Sequence, residues 1–593
     1  MELAKHPLPV TREELNALGI GQPDFIIVSG DAYIDHPSFG TAIIGRILER
    51  AGFSVAVIPQ PNWQSTDDFQ RLGMPRLAFL VNAGNIDSMV ANYTVAKRRR
   101  DQDYYSPGGK VGRRPDRAVI VYCNRIREAY GDVPIVIGGI EASLRRLAHY
   151  DYWDNRIRKS ILIDSGADIL SYGMGERSVL RIAELLDRGV PVRKIRDVAG
   201  TVVLAERDFK PKGASVTLPA YRALITEKER YASSFKVQYQ NCDPISGKIL
   251  CELYDEGMVV QNPPSKPLTT AELDDLATIP YTRKPHPIYG KDGVPALAEV
   301  EFSVTHNRGC FGGCAFCAIA YHQGRAVTSR SIESVVEEVE LLASLPDFKG
   351  YIHDIGGPTA NFRTGPCKAV AEGKKGVCAD RRCLTPQPCP NLIKDHEEYI
   401  ELLRRAASVR GVKKVFVRSG IRHDYVMADR ESGGRFIEVL AKRHVSGQLR
   451  TAPEHICPEV LALMGKPPYE VYEKFLQRFD AASKKAGLEQ YVVPYLMSSH
   501  PGSTMRSAER LARYMQENRF HSEQVQDFYP TPGTAATVMY YTGIDPFSGK
   551  KVYVATSPAE KKAQRALLGG KTAPRKPKSK YYAKKSNKKT GKR

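Results

Sequence analysis

The chain has 593 residues and a formal net charge of +21, more length than one ordinary domain uses, so three or four domain-sized units are expected. Hydrophobic residues make up 42% and charged residues 26%, a composition that can bury cores and excludes a wholly disordered chain. No run of about 18 apolar residues occurs, and the opening Met1-Glu2-Leu3-Ala4-Lys5-His6-Pro7 lacks a secretory stretch. A cytoplasmic protein with no membrane partner is expected, in which eleven cysteines read as metal ligands or buried thiols rather than disulfides.

Residues 24–190 alternate strand and helix signals. Strands are predicted at 24–30, 54–58, 76–81, 134–137 and 167–170, with a helix over 41–52. This rhythm implies an α/β fold: an open, Rossmann-like parallel sheet covered by helices, assigned to residues 1–202. A basic loop with Gly and Pro interrupts it at 97–115. Residues 203–297 have weaker periodicity, and Pro263-Pro264-Ser265-Lys266-Pro267 and Pro285-His286-Pro287 punctuate them. They are read as an insertion and interdomain connector.

Alternation returns at 298. Strands are predicted at 299–305, 350–355, 412–418, 447–452, 490–496 and 523–529. Helices are predicted at 331–344, 396–409, 434–443, 470–486 and 505–518. Six β/α units over 298–555 suggest a partial (β/α)6 barrel, whose reactive groups belong at the C-terminal ends of its strands.

Directly after the first of these strands comes Arg308-Gly309-Cys310-Phe311-Gly312-Gly313-Cys314-Ala315-Phe316-Cys317. Iron–sulfur cubanes normally take four thiolates. Three cysteines in a C-x3-C-x2-C spacing leave one iron without a protein ligand, free to chelate the amino and carboxylate groups of S-adenosylmethionine (SAM). Gly309, Gly312 and Gly313 allow the loop to wrap closely, and Phe316 is placed to shield the cluster or touch adenine. The spacing is the signature of the radical SAM superfamily. The resemblance implies a [4Fe-4S] cluster on Cys310, Cys314 and Cys317, reductive cleavage of SAM to a 5′-deoxyadenosyl radical, and an electron donor such as flavodoxin or ferredoxin.

Later strand ends agree with that resemblance. In His353-Asp354-Ile355-Gly356-Gly357-Pro358-Thr359 the paired glycines match the superfamily stretch that meets the SAM amino group. Pro358 stands where Glu is usual, so only the backbone role of Gly356 and Gly357 carries over. Arg418-Ser419-Gly420-Ile421-Arg422 offers groups for the SAM carboxylate or a substrate. Leu449-Arg450-Thr451-Ala452-Pro453-Glu454-His455, followed by Leu461-Ala462-Leu463-Met464-Gly465-Lys466, resembles the fourth unit of methylthiotransferase-type radical SAM domains. That likeness implies Glu454 and Lys466 beside SAM, and an RNA-modifying enzyme as one alternative function.

Between the second and third barrel strands, in an insertion spanning 361–394, lie Cys367, Cys378, Cys383 and Cys389. Their surroundings are rich in Gly, Lys and Pro, whereas structural cysteines prefer apolar sites. The group is read as an auxiliary [4Fe-4S] cluster or a zinc site, or else as a loop of free thiols.

In the first domain, Pro134-Ile135-Val136-Ile137-Gly138-Gly139-Ile140-Glu141-Ala142 and Ala167-Asp168-Ile169-Leu170-Ser171-Tyr172-Gly173-Met174-Gly175-Glu176 resemble the cobalamin-binding-type domain that precedes many radical SAM barrels. Cobalamin domains carry D-x-H-x-x-G; here Asp35-His36-Pro37-Ser38-Phe39-Gly40 sets Asp adjacent to His and Gly one position late. His36 is therefore not expected to ligate cobalt, and cobalamin is not an expected cofactor. With Asp354-Ile355-Gly356-Gly357-Pro358-Thr359-Ala360-Asn361, Ala452-Pro453-Glu454-His455 and Asp527-Phe528-Tyr529-Pro530, the chain is similar over about residues 10–555 to the YgiQ-type family of radical SAM proteins, whose substrate is unassigned.

Residues 556–593 are read as a disordered basic tail. From Lys561 onward they hold fourteen Lys and Arg and no acid; setting those aside leaves +7 on the rest. Such a segment can bind RNA through counterion release, or serve as a solubilising tail. A third reading, from outside enzymology, is a non-catalytic iron–sulfur nucleic-acid-binding protein.

Overall fold

The computed structural model describes residues 1–518 and 525–569. Five strands come first: β1 (Phe25–Ser29), β2 (Val55–Pro59), β3 (Ala78–Asn82), β4 (Ile135–Ile137) and β5 (Ile169–Ser171). They are apolar, mostly β-branched and almost wholly buried, as parallel strands covered on both faces must be. Alternate residues feed separate cores: Ile26 and Val28 face one, with Phe79 and Val81, and Phe25 and Ile27 the other, with Ala78 and Leu80. The order β2-β1-β3-β4-β5 is parallel throughout. Helices α1 (Gly40–Arg50) and α2 (Glu176–Asp187) pack on each other beside it.

The sheet does not stop at residue 202. It continues through β6 (Thr201–Ala205), β7 (Ser215–Thr217), β8 (Ile249–Leu253) and β9 (Met258–Gln261) in the order β5-β6-β9-β8-β7. The segment read as an insertion is thus largely the outer half of one nine-stranded sheet. These strands run antiparallel, apart from the β7–β8 pair. Only the β7–β8 pair has helices between its strands (Tyr221–Thr226 and Lys228–Gln240), so no repeating βαβ rhythm forms and their signal in the sequence is weak. The basic loop at 97–115 also reaches inside. Arg114 is buried, donates to the Gly30 carbonyl (3.1 Å) and pairs with Asp31 (2.7 Å) and Asp103 (3.2 Å).

The second half is a curved parallel array: β10 (Ser303–Thr305), β11 (Asp354–Gly356), β12 (Lys414–Val415), β13 (Gln448–Glu454), β14 (Tyr491–Ser498) and β15 (Val525–Asp527). β10 pairs with β11, Tyr351–Ile352 with β12, β13 with β14, and β14 with β15, all in parallel. Helices α3 (Ile332–Ser344), α4 (Glu397–Ala407), α5 (Gly433–Val439), α6 (Tyr469–Lys485) and α7 (Met505–Glu517) alternate with them. Each predicted barrel unit has its counterpart, although residues 523–524 of the last predicted strand lie outside the described residues.

The tail reading needs correcting over 556–569. Helix α8 (Pro558–Leu568) is capped by Ser557 and docks on α7 and β14. Leu568 joins Leu496, Leu511 and Met515 in a small core. Gln564 is fully buried, accepting from the Ser499 N–H (3.2 Å) and donating to the Ser503 carbonyl (2.9 Å). The basic composition hid this one-sided helix: Lys562 and Arg565 face solvent, while Lys561 is half-buried against Tyr152 and Tyr540. The tail from residue 570 on lies outside the described residues.

A buried carboxylate ties the halves together. Glu338 on α3 pairs with both Arg283 of the connector and Arg330 at the start of the barrel, all three buried. Burial by itself would raise the Glu338 pKa; the two guanidiniums outweigh it and hold it down at about 2. Its contribution to stability is therefore complete above the ordinary Glu value of 4.5 and is lost as pH falls through about 2. Glu338→Gln should cost about 3–5 kcal/mol by leaving two buried cations short of charge. Urea unfolding of both proteins across that pH range checks it: the deficit should be largest near neutrality and shrink toward pH 2.

Candidate iron–sulfur and S-adenosylmethionine site

Beyond β10 the chain forms a pinched loop. Asn307–Arg308 pairs antiparallel with Thr328–Ser329 at its neck, and the cysteines lie above. Gly309 has φ +80, and a Cβ there would sit 2.1 Å from the Ala326 carbonyl oxygen, so the two arms of the loop touch backbone to backbone. The Cys310 N–H donates to the Gly324 carbonyl (3.1 Å) and the Ala315 N–H to the Met464 carbonyl (2.8 Å), which fastens the loop to the barrel wall.

Cys310, Cys314 and Cys317 are half-buried and within electrostatic reach of one another. Burial raises the Cys310 thiol and pushes Cys317 up to about 12, with Cys314 adding to the latter. Such thiols stay protonated unless a metal takes the place of the proton. One cation already serves them: Arg422 Nη1 donates to Cys314 Sγ (3.1 Å) and to the Gly312 carbonyl (3.3 Å). Asp424 holds Arg422 through Nε (2.8 Å) and Nη2 (2.5 Å). A Cβ on Gly312 would come 2.9 Å from Arg422 Nη1 and 3.3 Å from Cys310 Sγ, so the cradle is closed to larger residues. Among the described residues no three Cys, His, Asp or Glu side chains close on a single-ion position. A cubane asks for none, because each of its thiolates takes a different iron. The donor set therefore fits a [4Fe-4S] cluster with one open corner.

The strand-end residues are placed as follows. Gly356 closes β11, where a Cβ would meet Ser419 Oγ at 2.2 Å; at Gly357 it would meet Asn307 Oδ1 at 1.7 Å. Asn307 in turn donates to the Thr359 (3.1 Å) and Phe362 (2.7 Å) carbonyls. The Ser419 hydroxyl is committed to Asp354, and Arg418 gives Asp354 its backbone N–H (2.7 Å) while its side chain is exposed. Arg422, rather than Arg418, is the cation that reaches the cysteines.

Phe316, Glu454 and Lys466 come together across the loop. Lys466 Nζ lies 3.5 Å from Glu454 Oε1, donates to the Ala452 carbonyl (2.8 Å) and stands 5.7 Å from the Phe316 ring centre. Glu454 follows an irregularity in β13 and has φ +69. A buried non-glycine residue in the left-handed region is strained, as functional positions at strand ends often are. Burial raises the Glu454 pKa, against the pull of Lys466.

The four cysteines of the insertion are also brought together. Burial pushes the Cys383 thiol up to about 11, the Arg325 guanidinium opposes it, and Cys378, Cys389 and Cys367 each act on it. Cys310, Cys383 and Cys389 pack on one apolar cluster containing Phe311, Phe362, Leu392 and Tyr425. Phe311 and Phe362 stack at 3.8 Å within it. An open cavity of about 900 Å³ adjoins, lined among others by Arg381, Arg382, Cys389, Leu463 and Lys466. His36 is elsewhere: fully buried, its Nδ1 accepts from the Ser38 N–H (3.1 Å), and its Nε2 lies 3.4 Å from Arg283 Nη1.

Sequence reasoning missed Asp424, Asn307 and Arg325. Asn307 and Arg325 act by contact across loops and follow no local spacing. Arg422-x-Asp424 was the one available hint, an acid two residues after a cation where a helix begins at His423. The closed neck gives a direct check. Gly309→Ala meets immovable backbone, so anaerobic reconstitution should recover under half the wild-type iron. Gly313→Ala has ordinary contacts at 3.4 Å, bears only left-handed strain of about 1–2 kcal/mol, and should load nearly normally.

The comparisons with known proteins fit this geometry. The family description "Radical SAM N-terminal" matches residues 7–303, "Radical SAM superfamily" matches 304–515, and "Domain of unknown function (DUF3362)" matches 523–575. The first places the unit boundary at the end of the nine-stranded sheet and its connector. A UPF0313 protein of Clostridium botulinum (strain 657 / Type Ba4) is 52% identical over 562 residues, covering 95% of this chain and 87% of that one. One from Clostridium perfringens (strain 13 / Type A) is 52% identical over 562 residues, covering 95% and 84%. Among solved structures, the radical SAM methyltransferase TsrM from Kitasatospora setae, with tryptophan and aza-SAM bound, aligns at TM-score 0.46 and 15% identity over 86% of this chain and 74% of that chain. The cobalamin-dependent radical SAM enzyme OxsB aligns at TM-score 0.46 and 11% identity over 85% and 53%. The chain belongs to the UPF0313 family, in agreement with its YgiQ-type motifs, and is an enzyme of the radical SAM type.

Proposed function

We propose that Cys310, Cys314 and Cys317 hold a [4Fe-4S] cluster whose open iron takes SAM, and that the enzyme cleaves SAM reductively to act on an organic substrate. When bound, the cluster supplies the electron that breaks a sulfonium C–S bond. The observation that carries the reading is the set of three half-buried thiols beside Arg422, facing strand ends that present Gly356, Gly357, Glu454 and Lys466. In it, Gly356 and Gly357 expose backbone to the SAM amino end, Phe316 covers the cluster side, and the Glu454–Lys466 pair orients the polar end of the cofactor. Arg418 and Ser419 sit at the neighbouring strand end; Ser419 acts by fixing Asp354. The adjoining cavity of about 900 Å³ is the space for the substrate. A one-electron donor such as flavodoxin or ferredoxin completes the cycle. The TsrM and OxsB structures hold cobalamin; here His36 is engaged with Ser38 and Arg283, and the reading assigns no residue to cobalt. RNA as the substrate rests on the methylthiotransferase-like unit and on a tail that lies mostly beyond the described residues; no described contact favours it.

The reduced, anaerobically purified protein should release 5′-deoxyadenosine from SAM, and Cys310→Ala, Cys314→Ala or Cys317→Ala should abolish that release. Glu454→Gln should keep its iron while raising the SAM concentration for half-maximal cleavage about tenfold, the loss of one charge-assisted contact. Undiminished SAM cleavage by the triple cysteine variant would overturn the proposal.

A further inference from the structure

Cysteines in this chain fall into two environments. Cys123, Cys251 and Cys457 are buried among apolar residues, as structural thiols are. Cys367, Cys378, Cys383 and Cys389 are half-exposed in a polar loop, yet the fold collects them. The Ile393 N–H donates to the Pro366 carbonyl (2.9 Å) and the Cys389 N–H to the Cys383 carbonyl (2.9 Å), closing the loop on itself. Asp243, from the sheet half of the molecule, accepts from the Val377 N–H (3.0 Å). It stands so close that a Cβ on Gly376 would meet its Oδ1 at 2.0 Å. The loop is thus closed across its two ends and pinned to the sheet half in its middle.

A buried cation with no adjacent carboxylate lies under it. Arg325 is 6% exposed. Its Nη2 donates to the Cys378 carbonyl (2.6 Å) and its Nη1 to the Tyr239 hydroxyl (3.1 Å). Its Nε has no partner among the described residues. Asp243 and the Cys242 and Cys383 thiols act on it through space, but no carboxylate touches it among the described residues. A buried guanidinium without an adjacent counter-charge is costly. A four-thiolate metal centre is anionic and would add charge beside it.

We infer that Cys367, Cys378, Cys383 and Cys389 hold a second [4Fe-4S] cluster, ligated by protein at every corner, in the wall of the 900 Å³ cavity. Zinc is the other occupant that four thiolates take, and the metal content distinguishes the two. Cys383 and Cys389 share their aromatic backing with Cys310, which makes the two centres neighbours, and Cys389 opens into the cavity that Lys466 also lines.

The inference stands apart from the SAM reading, and metal analysis of the full-length, anaerobically reconstituted protein separates the two. Wild type should hold about eight irons and a matching amount of sulfide, twice the content of one cubane. The Cys310/Cys314/Cys317→Ala variant should keep about four, with a reduced-state EPR signal that added SAM does not alter. The Cys367/Cys378/Cys383/Cys389→Ser variant should also keep about four, with a signal that SAM does alter. About four irons in wild type, one zinc per chain in the triple variant, or no metal there at all would each overturn the second cluster. If the triple variant fails to fold, the wild-type and quadruple-variant counts decide alone. Eight irons without SAM cleavage would sink the proposed function and leave this inference intact.

Discussion

The geometry of the molecule turns on one buried carboxylate. Glu338 is shared by Arg283 and Arg330, and neither guanidinium could be buried there without it. Arg283 reaches it from a backbone in the left-handed region, φ +56, so the connector is bent to meet the barrel. The same connector is stitched to the sheet half by bridges from Tyr281 to Leu3 and from Pro285 to Ile34. A second ion pair repeats the theme nearer the chemistry: Glu176, at the start of α2, holds Arg308 at the neck of the cysteine loop. The C-terminal edge of the open sheet therefore faces the barrel mouth, and a cavity of about 630 Å³ lies between them.

Within the barrel, crowding does most of the positioning. The tight approaches at Gly309, Gly312, Gly356 and Gly357 are against Ala326, Arg422, Ser419 and Asn307 respectively, residues of other strands or of the far arm of the loop. They bring backbone amides and carbonyls up to the space where a cofactor belongs, at the cost of tolerating no side chain. Charges are arranged the opposite way, in fixed pairs. Asp424 commits Arg422 to the thiol side, and Glu454 and Lys466 restrain one another at the opposite wall. Preorganised dipoles and charges of this kind need little rearrangement when a ligand arrives.

The insertion that carries the other four cysteines is part of the same construction. Arg382, one residue before Cys383, comes so close to Gly465 that a Cβ there would stand 2.7 Å from its Nη1. Gly465 itself is next to Lys466, so the insertion closes one side of the barrel mouth. It is joined to the sheet half through Asp243 and Arg325. Sheet, barrel and insertion meet around the cysteine loop, which explains why so many of its supporting residues are distant in sequence.

The sequence alone determined those features that are written in local spacing. The C-x3-C-x2-C loop, the paired glycines, the strand-and-helix alternation of both halves and the five buried parallel strands are short-range patterns, and each follows from ligand count, backbone freedom or periodicity. What it could not carry were features whose partners lie far along the chain. Strands β6 to β9 pair mostly antiparallel, without a repeating unit to announce them. Helix α8 looks like a charged tail until Gln564 and Leu568 meet α7 and β14. Arg418 and Arg422 are equally good cations on paper, and only the packing of the third strand end turns Arg422 to Cys314 and leaves Arg418 in solvent. Burial decides which of several like residues is functional, and burial is a property of the assembled chain rather than of any segment.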